Sequence, residues 1–155
     1  MKKFMQLVNE YAAEVDEIFP WDLAEWLESS RDVLLIDVRE PHEYDAMHIP
    51  DSLNVPRGIL ESACEYDYDE TVPELVTARD RDVVVICRSG HRSVLAAYNM
   101  QLLGYRKVHS LKTGVRGWNE YDQPLIDGEG RPVDPDDADD FFTTRLRPEQ
   151  RSPAD

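Results

Sequence analysis

VVVICRSGHRS, residues 83–93, runs four apolar residues into a cysteine, then into two arginines, two serines, a glycine and a histidine. An unbroken β-branched run of this length predicts a strand buried on both faces. A helical pattern follows over 91–104. Val94, Tyr98 and Leu102 recur every four residues, and Gly104 is a natural terminator. In open parallel sheets, ligands bind just beyond the carboxyl ends of strands, which is where Cys87 falls. The following helix turns its free N–H groups and the positive end of its dipole toward the loop. Gly90 lets backbone approach a ligand closely, and Arg88 and Arg92 add charge. Each feature favours an anion, and a cysteine so placed favours its thiolate.

Working outward, residues 32–38 (DVLLIDV), SLNVP at 52–56 and KVHSL at 107–111 read as further short strands. Residues 21–30 read as a helix, and so do the stretches that begin at Pro41, at Arg57 and at Gly114; one helical turn is expected within 72–78. Helices alternating with apolar strands predict an α/β fold whose sheet is mainly parallel and covered on both faces. Residues 3–17 place Phe4, Leu7, Val8, Tyr11, Ala12 and Val15 near helical spacing, so 1–17 is read as an N-terminal helix. Residues 127–155 are rich in Asp, Gly and Pro and are expected to form an acidic, disordered tail. Within it, FFTTRLR at 141–147 either docks back or serves a partner.

The chain has 155 residues and a formal net charge of −15, which sets it against nucleic acid as a partner. It offers no apolar run of membrane-spanning length, and polar residues interrupt its first stretch as a signal peptide, so the expected compartment is the cytoplasm. Two cysteines and four histidines lack the usual zinc-ligand spacings, so no metal site is expected.

Two chemistries suit a thiolate in an anion-binding loop. One is phosphate-ester cleavage through a phosphocysteine, and the other is transfer of a sulfane sulfur through a persulfide. A cysteine phosphatase places five residues between cysteine and arginine, so that the guanidinium can fork onto phosphate oxygens. Here only four residues separate Cys87 from Arg92, and position 93 is serine. The shorter loop favours the smaller anion.

CRSGHRS resembles the active-site loop of the rhodanese sulfurtransferases. LLIDVREPHEYDAMHIPDSLNVP (34–56) resembles their upstream signature, RGILE (57–61) a segment of single-domain members, and KTGVRGWNEYDQPL (112–125) the downstream signature. The resemblance covers roughly 18–126. Thr113 stands where the family often has the first glycine of a Gly-Gly pair, and Met47 and Asp51 replace glycines that often flank His-Ile-Pro.

This resemblance implies a rhodanese-like domain over 18–126 with a five-stranded, mainly parallel sheet. It implies a thiosulfate sulfurtransferase that works by double displacement with no metal or organic cofactor. Cys87 is then the nucleophile, and Arg88, Ser89, Gly90, His91, Arg92 and Ser93 form the substrate- and persulfide-binding loop. One arginine is expected to face the pocket and the other to point outward or into an ion pair. Ser89 is expected to cap the following helix. Asp37 and Arg39 support the loop as an ion pair, His48 and Trp118 pack, and Cys64 is a packed thiol or, alternatively, a resolving one. The implied partners are a small sulfur-donor anion and a cyanide or thiol acceptor, with no membrane. Thiosulfate is favoured over mercaptopyruvate because a doubly basic loop suits a small dianion. Competing readings are a protein sulfur-relay or docking module and, behind it, a cysteine phosphatase or arsenate reductase.

Overall fold

In the computed structural model, which describes residues 1–154, the apolar runs form the centre of a five-stranded, all-parallel sheet. The strands are β1 (Asp16–Ile18), β2 (Val33–Asp37), β3 (Leu53–Asn54), β4 (Asp82–Ile86) and β5 (Lys107–Leu111), in the order β1-β5-β4-β2-β3. Strand β4 is central, paired with β2 (Asp37 opposite Ile86) and with β5 (Val84 opposite His109). The chain leaves β2 toward one edge and β4 toward the other. The carboxyl ends of these neighbours therefore flank a topological switch point, the usual place for a ligand crevice.

The two-residue strand period splits the core between two faces. Leu34, Ile36, Val83 and Val85 face α1 (Phe4–Ala12), α4 (Leu60–Ala63), α5 (Pro73–Val76) and α6 (Arg92–Leu102). Leu35, Val84 and Ile86 face α2 (Pro20–Glu28), α7 (Gly114–Glu120) and α8 (Pro135–Phe142). Helix α3 (Pro41–Ala46) joins β2 toward β3. The expected layering on both faces is present. Among the described residues, no helix is long and apolar enough to cross a membrane.

Two expectations need correction. The helix over 3–17 ends at Ala12, and Asp16–Ile18 instead pairs in parallel with His109–Leu111 as an edge strand. The expected disorder of the tail gives way to a packed helix. Asp134 caps α8 by accepting from the Asp136 N–H at 2.8 Å, Pro135 occupies the first turn, and Ala138 and Phe142 are fully buried against the α7 side of the core. Asn119 of α7 holds the helix by donating to Asp139 Oδ1 at 2.8 Å and to the Pro135 carbonyl at 3.2 Å.

Candidate functional site

Cys87 follows directly on β4, and its sulfur takes the position of a helix cap. The backbone N–H of Gly90, in the loop, donates to Sγ at 3.1 Å and that of Ser93 at 3.3 Å, the latter a donor that α6 leaves free at its start. Ser93 Oγ lies 3.4 Å from Sγ and 2.7 Å from Ser110 Oγ of β5. Both serines are fully buried, so a hydroxyl pair runs from the sheet to the sulfur. Two N–H donors and a hydroxyl pair so placed make a position suited to an anionic group.

The loop's shape is fixed from behind. Val115 N–H donates to the Cys87 carbonyl at 2.9 Å and Arg116 N–H to the Arg88 carbonyl at 3.1 Å. With the loop carbonyls held by α7, the N–H groups of Gly90 and Ser93 are left for the sulfur. Gly90 has φ +89°, and a Cβ there would lie 2.9 Å from Thr113 N. Gly114 has φ +60°, and its Cβ would collide with the backbone of Cys87 and Arg88. Both positions need glycine. Thr113 itself sits at φ +68° and Asp51 at φ +66°, so two of the residues that stand where the family often has glycine carry left-handed backbone.

The two arginines are both anchored. Arg92 forks onto Glu43 of α3 at 2.8 and 2.9 Å. Burial pushes the Glu43 carboxyl up, but the hydrogen bonds from Arg92 and the Glu40 N–H, with the charges of Arg92 and Arg39, outweigh it and hold the group at about 2. A carboxyl held below its ordinary 4.5 stabilises the fold above that pH, and the contribution is lost as pH falls toward 2. Glu43→Gln should therefore flatten the loss of stability across this window, as read by chemical denaturation at a series of pH values. Arg88 instead donates to neutral oxygens: the Phe142 carbonyl at the end of α8, Thr144 Oγ1, and Ser89 Oγ at 3.2 Å. No carboxylate is among these partners.

Ser89 does not cap α6. The N-cap is His91, without a side-chain cap bond, and the sulfur of Cys87 serves instead. His91 sits edge-on to Phe4 of α1, with ring centroids 6.0 Å apart. Phe4, Cys87, Arg88, Ser89, His91 and Arg92 line a cavity of about 240 Å³. Cys87, only 1% exposed, is among these lining residues.

Asp37, which ends β2, and Arg39 are paired and wholly buried, with Nη2 to Oδ2 at 2.8 Å. Arg39 Nη2 also donates to the Met47 carbonyl at 2.7 Å. His48 stacks on Tyr44 and contacts its carbonyl through Nδ1 at 2.7 Å. Trp118 is buried and donates Nε1–H to the Pro124 carbonyl at 2.9 Å. Cys64 is a free thiol in the core, and burial pushes it up, away from the thiolate that a resolving role needs. Sequence reasoning missed Ser110, Glu43, Phe4 and Phe142. Their contacts with the loop span 17, 49, 87 and 54 residues, as Ser110 with Ser93, Glu43 with Arg92, Phe4 with His91 and Phe142 with Arg88.

The fold and loop define an α/β protein of the class that presents a cysteine, ringed by backbone N–H groups, at the switch point of a parallel sheet. The rhodanese-like domain model matches residues 20–121, and the chain belongs to the rhodanese-like family. A sulfurtransferase from Allochromatium vinosum is 34% identical over 116 residues, covering 75% of this chain and 99% of that protein. The adenylyltransferase and sulfurtransferase UBA4 of Lodderomyces elongisporus is 29% identical over 77% of this chain, which spans only 24% of UBA4. Among solved structures, the human single-domain sulfurtransferase TSTD1 superposes with TM-score 0.60 and 27% identity, over 68% of this chain and 96% of that one. A Rhodopseudomonas palustris protein, described as a "possible tyrosine phosphatase" of unknown function, superposes with TM-score 0.72 and 26% identity, over 81% of this chain and 95% of that one. The relatives support a transferase that acts in sulfur transfer.

Proposed function

We propose that the protein moves sulfane sulfur from thiosulfate, or a similar small anionic donor, to cyanide or a thiol through a persulfide on Cys87. The Cys87 thiolate attacks the outer sulfur of thiosulfate. The donor's S–S bond breaks, sulfite leaves with its electron pair, and a new S–S bond makes the Cys87 persulfide. The acceptor then attacks the terminal sulfur, the persulfide bond breaks, and the thiolate returns. Gly90 and Ser93 hold the charge at each stage, backed by the Ser93–Ser110 hydroxyl pair. Arg88 supplies positive charge at the cavity wall. Arg92, tied to Glu43, sets the shape of the loop, and Asp37 and Arg39 support it.

The observation that carries this reading is the convergence of two backbone N–H groups on Cys87 Sγ. A phosphatase would need a guanidinium free to fork onto phosphate, whereas Arg92 is already forked onto Glu43. UBA4 joins adenylyl and sulfur transfer in one chain by its name, which keeps a protein relay partner open as the source or sink of the sulfur. Intact-protein mass after thiosulfate, then after cyanide, tests the reading. A gain of one sulfur erased by cyanide, with no hydrolysis of an aryl phosphate, is the expected result. Hydrolysis of the phosphate without sulfur loading would overturn it.

A further inference from the structure

One residue that lines the Cys87 cavity lies outside the family-matched segment. It is Phe4, the first residue of α1, whereas the family match begins at residue 20. Phe4 is 52% exposed although it is a large apolar residue, and its ring meets the edge of His91. It is not what docks the helix. Val8 is buried against the core, and Tyr11 packs on Tyr98 of α6 with ring centroids 4.5 Å apart. The Lys3 N–H bonds to Gln6 Oε1 at 2.8 Å and fixes the helix start. The cavity is thus lined by an apolar ring, by an arginine with neutral partners and by the Cys87 sulfur. Its 240 Å³ exceeds what a small inorganic anion fills. That combination fits an organosulfur anion with an apolar body beside its charged sulfur-bearing end.

We infer that Phe4 forms an apolar subsite that selects organic thiosulfonate donors, the R group lying against Phe4 and His91 and the sulfonyl oxygens toward Arg88. The inference rests on the persulfide reading of Cys87. The step is balanced: the thiolate attacks the terminal sulfur of R–SO₂–S⁻, the donor S–S bond breaks, and the sulfinate R–SO₂⁻ leaves with the electron pair. Cys87 keeps the sulfur as a persulfide, and no oxidant is required.

The test compares benzenethiosulfonate, methanethiosulfonate and thiosulfate as donors, with cyanide as acceptor, in wild type, Phe4→Ala and Phe4→Trp. Thermal melts confirm that each variant is folded. The wild type should prefer the aryl over the methyl donor in kcat/KM. Phe4→Ala should cut that preference about five- to tenfold, the size expected for loss of one aromatic contact, and Phe4→Trp should retain it. An aryl preference absent in wild type, or unchanged in Phe4→Ala while all three donors load Cys87, would overturn the subsite alone. Failure of all three donors to load wild-type Cys87 would overturn the persulfide reading itself.

Discussion

Cys87→Ser should leave the fold in place and reduce sulfur transfer to the assay background. The substitution keeps a small polar atom where the N–H groups of Gly90 and Ser93 converge, so the start of α6 keeps its acceptor and stability should change by no more than about 1 kcal/mol. The chemistry does not survive the exchange. A serine hydroxyl is un-ionised near neutral pH, and nothing in this loop acts as the adjacent base that an alcohol nucleophile needs. The side-chain oxygen bonded to Sγ is Ser93 Oγ, itself a hydroxyl bonded to another hydroxyl on Ser110. A persulfide also has no oxygen counterpart that would hand its sulfur to cyanide. A drop of ~10³-fold or more in kcat/KM is expected, by analogy with loss of a nucleophile elsewhere. The check is thiocyanate production alongside intact mass after thiosulfate. Turnover retained within tenfold would mean that sulfur travels by another route, with buried Cys64 the next thiol to replace.

The strand that carries Cys87 and the helix after it were legible because their signals are local. The VVVI run, the four-residue spacing of Val94, Tyr98 and Leu102, and the terminating Gly104 fall within one strand–loop–helix unit, and the structure places β4 and α6 there. Edge strand β1 was not legible. Its sequence is Asp-Glu-Ile, only Ile18 is buried, and helical spacing carries straight through Val15. Backbone pairing with β5 decides its state, and that pairing leaves no trace in three residues. Helix α8 was hidden by composition. Its carboxylates imply disorder, but Ala138 and Phe142, four apart, find an apolar seat beside α7. The site was legible in part for the same reason. Cys87, Gly90 and the arginines occur together in the chain, whereas Glu43 and Ser110 reach the loop only through the fold. An ion pair or an outward course was expected for one arginine, but the partners, Glu43 for Arg92 and the end of α8 for Arg88, had no local signal. Thr113 and Asp51 show the opposite case. The resemblance marked both as positions where glycine is usual, and their positive φ values supply the physical reason.

Arg39→Met should destabilise the protein by about 3–5 kcal/mol, because it strands the Asp37 charge in the core. Both side chains are 0% exposed, and the carboxylate is bound by Nε at 3.0 Å, Nη2 at 2.8 Å and the Arg39 backbone N–H at 3.0 Å. Their removal leaves one backbone donor for a buried anion. A loss of that size is a large share of the 5–15 kcal/mol typical of whole domains. The pair also has a positional task. Asn54 Nδ2 donates to the carbonyls of Asp37 and Arg39 at 3.0 Å each, and Val38 N–H donates to the Ile86 carbonyl at 2.9 Å, one residue before Cys87. The turn that leaves β2 is thereby pinned to the strand that presents the sulfur. Replacing both partners with apolar residues, Asp37→Leu with Arg39→Met, removes the unpaired charge and should recover most of the lost stability. Arg39 Nη1 favours that recovery, since this buried donor has no partner and its desolvation is relieved with the pair. Denaturant unfolding of the two single variants and the double variant checks the cycle. Recovery of stability without recovery of kcat/KM would show that the ion pair positions the loop; recovery of both would show that the pair serves only to neutralise itself.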